Sequence, residues 1–331
     1  MGAGKSSAPR ADSDRSATEG IMDDIRISDG TAHDSRSSRH RSPLLTVVLA
    51  AAAAVAVTAT VAVAVDYGDR KGSSAPAPSN VSDARDGGAG KREVDAAKIL
   101  RAAADRLREE EKDAKTDVPR DDQFIYTRNI VKETDRKTGE TDVRPAENWE
   151  SVDRRKRGWV NEIGGKGWWV PPLGRQESTW PPPGWEAKEN LPQDPVELIR
   201  YLAKGHPGAA EKPKSLAEIE KAEWMQLQFL LKGLATSSVE PEGLRPAAFD
   251  ALAKVPGMRA TAGVKDGEGD PAVGVWFDHR FHKDQMLVID EDSHEYLGDR
   301  AVRTTLNKKK SYDQFIHVDD FGVVDKVKQR P

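Results

Sequence analysis

MRATAGVKDGEGDPAVGVWFDHRFHKDQMLVIDEDSHEYLGDRAVRTT, residues 258–305, decides the fold class. It holds four runs, MRATAGV, AVGVWFDH, QMLVIDE and HEYLGDRAVRTT, parted by acidic or glycine-containing turns. Short runs rich in β-branched and aromatic residues between such turns read as strands of an antiparallel meander. QFIHVDDFGVVDKV, from Gln314, adds a further strand. DEDSHE, Asp290 to Glu295, crowds carboxylates but lacks the central glycine and twelfth-position glutamate of a calcium loop. It reads as a hairpin turn. Asp278-His279-Arg280-Phe281-His282, with His294, raises a metal site, but strand positions three apart face opposite sides. No metal site is expected.

Working toward the N-terminus, the pattern turns helical. Leu244 to about Val255 reads as a helix ending at Pro256-Gly257. Ser215-Leu216-Ala217-Glu218 reads as a capping box before a helix running through MQLQFLLKGL, with Trp224, Phe229 and Leu230 as core. Asp194-Pro195-Val196-Glu197 supplies an N-cap, a first-turn proline and a box glutamate for ELIRYLAK. VDAAKILRAAADRLREEE places Ala96, Ile99, Leu100, Ala103 and Leu107 on one stripe, an amphipathic helix. QFIYTRNIVKET reads as a strand, as do Trp149–Val152 and Trp159–Ile163 on either side of the charged turn DRRKRG. Trp276 is expected in the core. Helices and strands segregated in this way predict an α+β domain, one face of a curved sheet needing cover.

WWVPPLGRQESTWPPPGW, residues 168–185, holds four of the chain's eight tryptophans and five prolines. Proline density argues against a sheet ladder, while indoles hung from a proline-fixed segment can lie across an apolar sheet face. Trp168, Trp169, Trp180 and Trp185 are therefore the candidate ligand-binding residues, an aromatic lid. Structural cover, a ligand-facing rim and a proline-rich docking segment all remain open readings of it.

Composition bounds the rest. Of 331 residues 37% are hydrophobic and 32% charged, with net charge −4, which suits one folded domain with solvated tails. No basic stripe recommends nucleic acid as a partner. There is no cysteine, which excludes disulfides, thiolate metal sites and a cysteine nucleophile. Neither Gly-x-Ser-x-Gly nor a credible Ser-x-x-Lys is present, so no catalytic residues and no cofactor are expected. Pro43 to Val65 carries no charge and, as a helix, spans about 35 Å, enough for a bilayer core. Arg36, Arg39 and Arg41 precede it, whereas Asp66 and Asp69 follow it. The positive-inside rule then places the N-terminus in the cytoplasm and the C-terminal domain outside the cell. A cleaved signal peptide is the alternative, given Ala62-Val63-Ala64. A start at Met22 would favour it. The predicted order is a disordered tail (1–42), a single-pass transmembrane helix (43–65), a flexible linker (66–92) and an extracytoplasmic α+β domain (93–331).

Several segments together resemble an actinobacterial family of single-pass membrane proteins found beside extracytoplasmic-function sigma factors. They are QFIYTR, LPQDPVELIRYL, FDALAKVPGMRATAGVKDGEG, QMLVIDEDSHEYLGDRAV and GVVDKVKQRP, drawn from most of residues 95–331. MLVIDEDSHEYLG is the most distinctive. The resemblance implies an outer domain similar to the LolA/RseB lipoprotein-carrier fold, an antiparallel half-barrel with helices on its concave face. It supplies no catalytic residues. The N-terminal tail lacks the longer helical segment of that family, which argues against direct contact with a sigma factor. The expected function is a non-enzymatic, membrane-anchored binding or sensor module for a lipid, another hydrophobic ligand or an envelope protein, with a link to envelope-stress signalling. The alternative is a wall-associated structural or carbohydrate-contacting protein.

Overall fold

The computed structural model describes residues 91–113, 118–162, 166–174, 179–204, 213, 215–278, 285–305 and 309–331. The chain divides into Met1–Leu44 and Leu45–Pro331, and every described residue belongs to the second unit. The predicted tail, the Pro43–Val65 span, most of the linker, and His279 and His282 lie outside the described residues. Among the described residues, no helix is long and apolar enough to cross a membrane.

Ten strands form one open antiparallel sheet: β1 (Arg92–Val94), β2 (Phe124–Asp135), β3 (Thr141–Ser151), β4 (Gly158–Glu162), β5 (Lys166–Val170), β6 (Met258–Lys265), β7 (Pro271–Phe277), β8 (Gln285–Asp290), β9 (Tyr296–Thr304) and β10 (Ser311–Val324). Their order is β1-β6-β7-β8-β9-β10-β2-β3-β4-β5, so the C-terminal meander is joined through β10 to the N-terminal one. Among the described residues the helices are α1 (Ala96–Asp113), α2 (Trp185–Glu189), α3 (Pro195–Lys204), α4 (Lys221–Thr236) and α5 (Leu244–Leu252).

Strand side chains alternate between faces. Ala260, Ala262, Val273, Val275, Leu287 and Ile289 point to one face, where α1, α3, α4 and α5 bury Leu100, Leu202, Leu231 and Phe249 in the main core. Each fully buried leucine there contributes ~1.5–3 kcal/mol. α1 buries the predicted stripe, with Ala104 added and Ile99 only partly covered. On the opposite face Phe124, Tyr126, Trp149 and Val324 form a smaller cluster. The C-terminal residues close over it: Trp149 Nε1 donates to the Gln329 carbonyl at 2.5 Å, and Arg330 Nε to Glu147 at 2.7 Å.

Several expectations are corrected. Thr141–Glu147 belongs to a strand despite Pro145, because β4 pairs only with Glu147–Trp149. Pro145 therefore sits on a free edge, where its missing N–H breaks no ladder bond. The Trp/Pro stretch is not wholly irregular: Trp168 and Trp169 lie in β5, which stops before Pro171, and Trp185 opens α2. The Ser215 box starts only a 3₁₀ turn over Leu216–Glu218. Buried Ile219 then extends the chain, and the entry to α4 is closed by the Glu223 carboxylate accepting from the Glu220 N–H at 2.9 Å. Phe229 is 47% exposed, because Leu227, Leu230, Leu231 and Leu234 take the buried stripe of α4 and leave it on the far side. Trp276 is only half-buried and lies on the face away from the helices. Asp194, by contrast, accepts from the N–H groups of Val196 and Glu197 at 2.9 Å, as an N-cap should. DEDSHE is a hairpin turn, with Asp290 accepting from the N–H groups of Asp292 and Ser293.

Candidate functional site

The helices cover the β6–β8 part of the sheet, which leaves β9, β10, β2 and β3 to be roofed by something else. That roof is Trp180–Pro183, Lys188 of α2 and the C-terminal end of α4. Beneath it lies a cavity of about 150 Å³. Its floor carries Ile316 and Val318 of β10, Ile125, Thr127 and Asn129 of β2, and Asn148 and Glu150 of β3. Val152, Trp185 and Val239, packed with Ile125 and Val323, close one end of the same face.

The four candidate tryptophans are not brought together. Trp180 alone lines the cavity. Its ring stacks on Tyr201 and its Nε1 donates to the Leu202 carbonyl at 2.8 Å, tying the roof to α3. Trp185 is buried in the neighbouring cluster, its Nε1 donating to Glu189 at 2.6 Å. Trp169 points to the opposite face of the sheet, edge-on to Trp159 at 5.0 Å, with the Arg157 guanidinium 4.8 Å from its ring centroid. Trp168, paired with Val160 on the edge strand, shares the cavity's face but does not line the cavity. At 47% and 41% exposed, Trp168 and Trp169 remain open to solvent.

Three of the cations lining the cavity are paired with carboxylates, and Arg300, which also lines it, donates to the Lys265 carbonyl. Arg154, at the inner end of the DRRKRG turn, meets Glu150. Lys188 meets Glu240 at 2.7 Å, and Lys232 meets Asp299 at 2.9 Å. Tyr296 lies beside the last pair, and burial together with the Asp299 carboxylate pushes its phenol well above the ordinary value. It stays neutral at physiological pH. Further along the same face, Glu133 accepts from Arg303 at 2.5 Å, Arg144 at 2.6 Å and Gln314 at 2.8 Å. Burial alone would raise the Glu133 pKa, but these guanidinium partners hold it below the usual carboxylate value.

The polar residues of the floor and wall escaped the sequence reading. Asn129 and Asn148 fall where strand alternation demands inward side chains, which was the available signal. Lys188, Lys232 and Asp299 carried no such signal, because a charge on an isolated helix or strand reads as solvated. Among the described residues, no group of three or more His, Asp or Glu side chains is placed to hold a metal ion. A mostly apolar cavity with a few fixed polar groups can enclose and orient a ligand.

No protein family model matches the chain. No curated protein matches it either. Among solved structures, the crystal structure of a LolA superfamily protein from Nitrosomonas europaea is similar at 8% identity and a TM-score of 0.20, covering 72% of this chain and 96% of that one. A likeness that slight carries no argument about family or ligand.

Proposed function

We propose that this protein is a non-enzymatic binding module for a hydrophobic or amphipathic small ligand, held outside the cell by the Pro43–Val65 span. The observation that carries the reading is the cavity between the sheet and the Trp180–Pro183 roof. At about 150 Å³ it has room for roughly one benzene-sized group. Typical ligand sites are about 300–1,000 Å³. Taking up a whole acyl chain therefore requires the roof to lift from Tyr201 and Leu202. Occupancy then changes the surface around α3, and an envelope partner linked to stress signalling reads that change.

Native mass spectrometry on the full-length chain, taken from its own membrane, tests the binding. A co-purifying lipid-sized mass that is lost in Trp180→Ala is the expected result. A clean mass that also stays unchanged after incubation with short-chain amphiphiles would sink the reading. Topology is tested separately: the chain has no cysteine, so a single one placed at Ser37 or Ser79 reports its side of the membrane. Labelling of Ser79→Cys alone by an impermeant maleimide on intact cells is expected. The exposed Trp168 and Trp169 favour the second reading, stacking on a wall carbohydrate. Quenching of that pair by soluble wall oligosaccharides, with the cavity untouched, would support it.

A further inference from the structure

The cavity floor bears two carboxamides with nothing to bond. Asn129 and Asn148 are 6% and 8% exposed, both line the cavity, and neither side chain has a hydrogen-bond partner among the described residues. Native proteins pair buried polar groups, because an unpaired one forfeits its full desolvation cost. Neither amide is among the fully buried unpartnered atoms of the described residues, so both open into the cavity, where a molecule that enters it can bond them. Asn129 pairs with Ala146 and Asn148 with Thr127, which makes the two asparagines diagonal neighbours on one face. Diagonal pairs stand roughly 7–8 Å apart, so both amides can reach a single polar group between them.

The wall charges set the ligand's charge. Of the four cations that line the cavity among the described residues, Arg154, Lys188 and Lys232 have carboxylate partners. Arg300, one position on from Asp299 and paired with Phe315, turns its side chain to the opposite face and donates to the Lys265 carbonyl. An anionic or cationic head would enter with no counter-charge waiting and would lose its hydration. A carboxamide both donates and accepts. A carboxylate only accepts and an ammonium only donates, so either head leaves half of each asparagine unmatched.

We propose that the cavity selects an uncharged amphiphile whose polar group both donates and accepts hydrogen bonds, an amide or a hydroxyl-bearing ester, seated on Asn129 and Asn148. This rests on the binding function proposed above and names its ligand class. The amide head lies between the two carboxamides, and the apolar remainder runs under Trp180.

The test compares hexanamide, hexanoate and hexylammonium, which share one chain and differ in the head. Equilibrium dialysis of each radiolabelled probe at pH 7.4 uses the full-length chain in amphipol, with protein-free amphipol as blank. Hexanamide is expected to bind at least tenfold tighter than either ion, and Asn129→Leu with Asn148→Leu to remove at least tenfold of that affinity. The wild-type series decides the question even if the double variant folds poorly. Hexanoate or hexylammonium binding as tightly as hexanamide overturns the proposed head group while leaving the binding function standing. A hexanamide preference that survives in a folded double variant also overturns it. Failure of all three probes to bind overturns the binding function as well.

Discussion

Trp180 lies nearly flat on Tyr201, ring centroids 5.1 Å apart and planes 19° from parallel. The stack and the indole bond to the Leu202 carbonyl hold the cavity roof on α3. Trp180→Phe keeps a stacking ring but loses the donor, and is expected to cost about 1 kcal/mol in chemical denaturation. Trp180→Ala loses both, costs about 2–3 kcal/mol, and raises binding of an environment-sensitive apolar dye. Equal dye binding by wild type and Trp180→Ala would show that the indole does not close the cavity.

Glu133 makes stability fall in acid. Its folded pKa lies below the ordinary glutamate value, so its contribution is fully present above the unfolded pKa of ~4.3. That contribution is lost as pH falls through the lower folded value, because there the unfolded chain binds the extra proton. Glu133→Gln takes the charge partner from Arg303 and leaves Arg144 only the exposed Asp142, and is expected to cost about 3 kcal/mol at pH 7. The gap between wild type and variant should narrow below pH 4 in urea titrations.

Glu162 runs the other way. Burial raises its pKa, with only a modest opposing pull from Arg144. An acid whose folded pKa is raised costs stability above that pKa, and the cost fades as pH drops toward the unfolded value. Glu162→Gln is therefore expected to raise the melting temperature at pH 7, with the gain shrinking as pH approaches 4.5. A gain that is constant across that range would mean that packing, not ionisation, is responsible.

Gly267 sits where the β6–β7 hairpin folds against Phe315, and a Cβ there would lie 2.6 Å from the ring. Its carbonyl also accepts from Lys132 Nζ at 2.6 Å. Gly267→Ala should cost about 1–3 kcal/mol through overpacking. Adding Phe315→Leu should recover part of that loss, a non-additive cycle measurable by denaturant unfolding.

The strands of residues 258–304, the α1 stripe and the Asp194 cap were legible in the sequence because each rests on local chemistry. Alternation, turn residues and a side chain bonding its own backbone act within a few positions. Pro145 concealed half of β3, since its tolerance depends on β4 being too short to reach it. Phe229 was misread because neighbouring leucines, equally apolar, decide which stripe of α4 turns inward.

Order along the chain determined the segregated helices and strands, and with them an α+β domain. Tertiary structure decided the site. β10 brings the two meanders into one sheet and sets Asn129 and Asn148 beneath Trp180. It also splits the tryptophans of a single eighteen-residue stretch between the two faces of the sheet. Alternation splits Trp168 from Trp169 once both lie in β5, but which face each takes depends on the pairing with β4 that fixes the register.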